Sequence, residues 1–231
     1  MDFITRIFPN FNNFLIVFGP AAFGIVCHEV AHGYAAYRLG DPTAKALGRL
    51  TLNPLKHIDP MGTLMFLLTA LMGPFVFGWA KPVPFQPRFF RNPRNGIVLV
   101  AIAGPLANFA VALLCAFIYV GTLVFATKYM PNSHSTSLLF LVKASEAGIF
   151  INCALAWFNL MPIPPLDGSH VLSRFLPRQL AVQYEQLARY GFLILIFLLY
   201  FRVLTPIILP LIQTSYSVIL AIPAFVFGVT L

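Results

Sequence analysis

Six long apolar runs dominate the chain, at about 11–39, 61–79, 96–127, 137–160, 188–204 and 206–228. Most have the roughly 20 residues that a helix needs to cross the ~30 Å hydrocarbon layer of a bilayer. Charged residues make up only 10% of the 231 residues, and mean hydropathy is +0.83. That is too little charge to cover a soluble surface of this size. The run 61–79 differs from the others. Gly73-Pro74 interrupts it, and a helix over Met61–Met72 rises only about 18 Å, so this segment is expected to re-enter and leave on one side or to lie at the periphery. The expected fold is an all-α membrane protein, a polytopic bundle of about five spanning helices plus a re-entrant segment. Two irregular stretches rich in Pro, Gly and Asn, Gly40–Pro60 and Lys81–Gly96, separate the early runs. Within them Gly48–Asn53 and Ala80–Phe85 are expected as short strands in β-hairpin-like loops, the second an edge because of its prolines.

The net charge of +8 does not point to nucleic acid. The basic residues sit in short loops between apolar runs, the pattern of a chain anchored in an anionic leaflet. Cys27, Cys115 and Cys153 are far apart within apolar runs and suggest neither a disulfide framework nor a thiolate metal site. No cleavable leader is expected at the amino terminus.

Chemistry enters with His28-Glu29-Val30-Ala31-His32. Residues four apart lie on one face of a helix, so two imidazoles can hold one Zn²⁺ with the glutamate beside its water. Ionisable groups inside an otherwise apolar segment are costly and point to function. A catalytic zinc needs a third protein ligand. Asp167 is the acid that stands out, after the proline-rich Met161–Leu166 and before Gly168, although an Asp-Gly after prolines is commonly just a turn.

These motifs together resemble the site-2 protease family. The resemblance lies in His28–His32, Ala103–Phe109 (AGPLANF), Asn159–Gly168 (NLMPIPPLDG), and the stretches Gly40–Pro60 and Phe77–Pro87. It is closest to the small bacterial type without a PDZ or CBS domain. It implies one transmembrane metalloprotease domain over 1–231, with a catalytic core at about 11–168 and peripheral helices at about 188–228. It also implies one zinc per chain on His28, His32 and Asp167, with Glu29 as acid/base. Asn159 matches a residue that meets substrate near the metal. Asn108 is read either as an oxyanion or substrate contact or as a helix-packing amide. His170 is read as an outer or surface group, and Arg49 either faces lipid headgroups or orders its loop. The expected activity is that of a zinc-dependent intramembrane endopeptidase acting on a membrane-protein or transmembrane-peptide substrate. The competing readings are a metal-binding membrane protein or transporter without hydrolytic activity, and an inactive protease homologue.

Topology tests the ligand set. Ligands of one ion share a depth, so the helices before His32 and before Asp167 must run the same way, and 61–79 cannot be a full crossing. That arrangement puts most Lys and Arg on the Asp167 side, which predicts a multi-pass protein of the plasma or inner membrane with its site toward the cytoplasm.

Overall fold

The computed structural model describes residues 11–72, 78–130 and 135–229. Along the chain its α-helices are α1 (Phe11–Arg38), α2 (Thr43–Ala46), α3 (Pro60–Met72), α4 (Pro93–Tyr129), α5 (Thr136–Asn159), α6 (Asp167–Phe175), α7 (Arg178–Gln186), α8 (Ala188–Tyr200) and α9 (Thr205–Phe227). Four of them, α1, α4, α5 and α9, are long and apolar enough to cross a bilayer. The pair α7–α8, bent by 61°, makes a fifth if it is one span. This is the polytopic helical bundle the apolar runs imply.

Helices α1, α4 and α5 pack on one another, α9 covers α4 and α5, and α6 lies against α4. Lipid tails are as apolar as leucine, so helices in a bilayer associate through close packing and polar bonds. Small residues supply that closeness here. Ala112, Ala116, Cys153 and Ala156 are fully buried along the α4–α5 seam. A methyl added to Gly148 would lie 2.6 Å from Cys115 Sγ.

The expected break at Gly73-Pro74 lies outside the described residues, but both sides of it are visible. A Cβ on Gly62 would meet the Trp79 carbonyl, and one on Gly78 would lie 2.7 Å from Phe66 Cβ. By residue 78 the chain is therefore back at the end where α3 began. With α3 returning and α1, α4 and α5 each crossing, Asp167 emerges beside the carboxyl-terminal end of α1, as the parity argument requires.

The strand expectation is corrected. Among the described residues there is no strand, and Gly48–Asn53 and Ala80–Phe85 form no ladder. Pro82 and Pro84 have no N–H to give, the Lys81 N–H goes to the His57 carbonyl at 2.8 Å, and other polar groups nearby are taken by side chains. Arg49, 8% exposed, donates to the Lys81 carbonyl at 2.7 Å, so it orders its loop rather than reaching lipid. Val83 N–H donates to Glu29 at 2.9 Å. The buried Asp41 accepts from Thr43 N–H and Oγ1 with one carboxylate oxygen and from Gln86 N–H with the other. Burial pushes the Asp41 carboxyl up, but these bonds and the nearby Arg88 outweigh it and hold it below the usual carboxylate range. The two loops are thereby stitched together over the end of α1.

Candidate metal centre

His28 and His32 lie one turn apart on α1, both buried. Each ring is held through Nδ1. His28 Nδ1 is 2.7 Å from Asn108 Oδ1, and His32 Nδ1 is 2.7 Å from the Val100 carbonyl. A carbonyl oxygen only accepts, so both Nδ1 atoms are the protonated ones in the neutral rings. The two Nε2 atoms then carry lone pairs, and they face each other at 2.9 Å. Asp167, the first residue of α6, adds an oxygen 3.1 Å from His28 Nε2 and 3.4 Å from His32 Nε2. This buried oxygen has no hydrogen-bond partner. A carboxylate oxygen, like the two Nε2 atoms, only accepts.

With both rings neutral, three electron-pair donors thus converge, an arrangement that a bound cation reconciles. The donor set and spacing fit zinc. Bonds of about 2.0–2.2 Å in a tetrahedron give edges of roughly 3.3 Å, and the three atoms stand 2.9–3.4 Å apart. Among the described residues this is the one His/Cys/Asp/Glu group close enough to hold a metal.

Glu29 is half-buried beside His28, with Oε2 held by Val83 N–H. It lines a cavity of about 510 Å³ together with His28, Asn108, Asn159 and Gly78–Ala80. Asn159 reaches this cavity and spends one N–H on the Leu155 carbonyl, leaving the other for a visitor. Asn108 is different. It is fully buried, its oxygen is taken by His28, and its two N–H bonds go to Gly24 O and Asn152 Oδ1, both at 3.1 Å. It has no proton left for an oxyanion, so of the two readings the geometry favours the packing amide, here one that also aims a ligand. His170 is exposed on the following turn of α6 and does not join the ligand set.

Sequence reasoning missed three participants. A Cβ on Gly104 would lie 2.5 Å from His32 Nε2, so the rings can sit against α4 only over a glycine. Gly24 is likewise needed, since its Cβ would strike the Asn152 amide. The Val83 amide, which orients Glu29, had no side-chain signal at all. Small residues recurring near His28 and in Ala103–Ala107 were the available sign for the glycines.

The profile of peptidase family M50 matches residues 14–199. YwhC of Bacillus subtilis is 42% identical over 171 residues, covering 74% of each chain. Rip2 of Mycolicibacterium smegmatis is 31% identical over 188 residues, 80% of this chain and 67% of its own. MJ0611 of Methanocaldococcus jannaschii is 30% identical over 167 residues, 71% of this chain and 74% of its own. All three carry the name of a zinc metalloprotease. No solved structure matches the chain significantly.

Proposed function

We propose that this chain, which belongs to peptidase family M50, is an intramembrane endopeptidase that hydrolyses a peptide bond in or near a transmembrane segment of its substrate. The family and its relatives make the chain a zinc metalloprotease. Placing the reaction within the bilayer is our reading. It rests on one observation above all: His28, His32 and Asp167 meet at a single point between membrane-length helices, on the wall of a cavity that Glu29 also lines.

Zinc, when bound, supplies Lewis acidity and a water acidified toward neutrality. The residues of the chain do the rest. His28, His32 and Asp167 hold the ion, and Asn108 and the Val100 carbonyl fix which ring nitrogens face it. Glu29 takes the proton of the attacking water and returns it to the leaving amine. The Val83 amide holds one of its oxygens and leaves the other to exchange that proton. The remaining N–H of Asn159 is the donor available to a developing oxyanion. A substrate helix has no free backbone to attack, so it unwinds first, within the cavity that Glu29 and Asn159 line. The distribution of Lys and Arg supports a multi-pass protein of the cell membrane with this site toward the cytoplasm.

The test is direct. Purified wild type and Glu29→Gln are assayed for bound zinc and for cleavage of a transmembrane peptide. About one zinc per chain in both, with cleavage in wild type alone, is expected. Equal cleavage by the two would remove Glu29 from the mechanism. Zinc without cleavage over a broad set of membrane peptides would leave a metal-binding membrane protein.

A further inference from the structure

On the same side of the bundle as Asp167, the start of α4 and the helices α6 and α7 enclose a second concavity of about 450 Å³. Arg94, Arg174 and Arg178 stand around it, with His170, Ser173 and Glu185. All three arginines are exposed. Among the described residues Arg94 and Arg178 have no hydrogen-bond or ion-pair partner. Arg174 is aimed by a bond from its Nε to Asn95 Oδ1 at 3.0 Å, which leaves its terminal nitrogens free. The single carboxylate present, Glu185, already accepts from Ser173 Oγ at 2.6 Å. Ile97, Ala181 and Val182 supply apolar walls. The concavity therefore sets three guanidinium groups against one carboxylate, an excess of positive charge, beside an apolar lining. It lies about 9 Å along α4 from Val100, toward the end of the bundle where most basic residues gather.

We propose that this concavity binds a phosphate-bearing anion, the headgroup of an anionic phospholipid, with Arg94, Arg174 and Arg178 as its ligands. Guanidinium groups match phosphate oxygens in geometry and charge. The apolar walls suit the glycerol and first methylenes of a lipid that inorganic phosphate lacks. Helix α6 carries Asp167 at one end and Arg174 at the other, so an occupant tying Arg174 and Arg178 to Arg94 braces the metal-bearing helix against α4. The inference stands on topology and charge and is independent of the proteolytic reading.

The experiment uses the full chain in a zwitterionic detergent and tail-labelled phosphatidylglycerol or phosphatidylcholine. Wild type is compared with Arg94→Gln/Arg178→Gln, neither of which loses a hydrogen bond or ion pair among the described residues. Lys56→Gln/Arg91→Gln serves as control, two exposed charges outside the concavity. The expected result is a preference for phosphatidylglycerol in wild type. It weakens about thirtyfold in Arg94→Gln/Arg178→Gln, two charges at about 1 kcal/mol each, and is unchanged in the control. Displacement of the label by millimolar inorganic phosphate would name the phosphate itself as the ligand, and resistance to it would name the whole headgroup; both uphold the site. No headgroup preference, or an equal loss in both variants, would overturn it.

Discussion

Replacing Gly104 by alanine adds one methyl where the structure has no room for it. The new Cβ would sit 2.5 Å from Cε1 and Nε2 of His32 and 2.6 Å from Cε1 of His28. Carbon atoms rest at about 3.5–4.0 Å, so the rings or the helix must give way by about 1 Å. The rings are tied to α4 itself, through the bonds of His28 to Asn108 and of His32 to Val100, each 2.7 Å. Moving them off the methyl stretches both bonds, and so does backing α4 away. Metal sites tolerate deviations of about 0.2 Å in ligand distance, and a 1 Å misplacement at a reacting centre costs roughly a hundredfold. Zinc affinity is therefore expected to fall at least about a hundredfold, or ~2.7 kcal/mol, with cleavage falling alongside. Chelator competition measures the affinity, and circular dichroism checks that the helices persist. Gly121→Ala on the same helix is the control, because its Cβ meets nothing closer than Phe227 at 3.5 Å. Undiminished zinc affinity in Gly104→Ala would refute the claim that the imidazoles are wedged against a bare stretch of α4.

Asn108→Ala removes the acceptor that aims His28 and the amide bonds that tie it to Gly24 and Asn152; it is expected to weaken zinc binding ten- to a hundredfold, read by the same chelator titration. Glu29→Gln is expected to keep zinc while lowering peptide cleavage by roughly 10²–10⁴, a single-turnover measurement with the metal content checked in parallel. The carboxyl of Asp41 is held below its ordinary range in the folded protein, so it adds stability above about pH 4 that is lost as pH falls through its folded value. Asp41→Asn should melt at a lower temperature than wild type at pH 7, and the gap should narrow as pH is taken below 4; a constant gap would show that the charge is not what holds the loops.

The sequence announced the pair on α1 because HExxH needs only the helical period to be read, and its surroundings left no ordinary reason for two imidazoles and a carboxylate. Asp167 was less legible. Spacing alone reads it as a turn, and only the resemblance, backed by the parity of crossings, joined it to a site 135 residues earlier. That the chain turns back after α3, with Gly78 returned to Gly62 and Phe66, agrees with the shortness of its run. The two expected strands do not form: the Val83 N–H serves Glu29, the Lys81 and Pro82 carbonyls serve Arg49, and the Lys81 N–H meets the His57 carbonyl. No local pattern records that a backbone amide is claimed by a side chain 54 residues away.

The two facing helices show why this centre needs so little sequence to specify it. Gly24, His28 and His32 fall at steps of four along α1, and Val100, Gly104 and Asn108 do the same along α4. The helices run in opposite directions, so the stripes meet in reverse order: His32 on Val100, both rings over Gly104, then His28 and Gly24 on Asn108. The side chain of a helical residue covers the turn before it. A glycine at position 104 therefore uncovers the Val100 carbonyl for His32, as well as making space for the rings. Slipping one helix by a turn, about 5.4 Å, would break all three polar bonds and drive an imidazole into a side chain. In lipid no hydrophobic gain offsets unmade polar bonds. The bonds that choose the ligand nitrogens are thus also the ones that set the register of α1 on α4. A sequence that packs these two helices correctly has, by the same contacts, already oriented two of the three metal ligands.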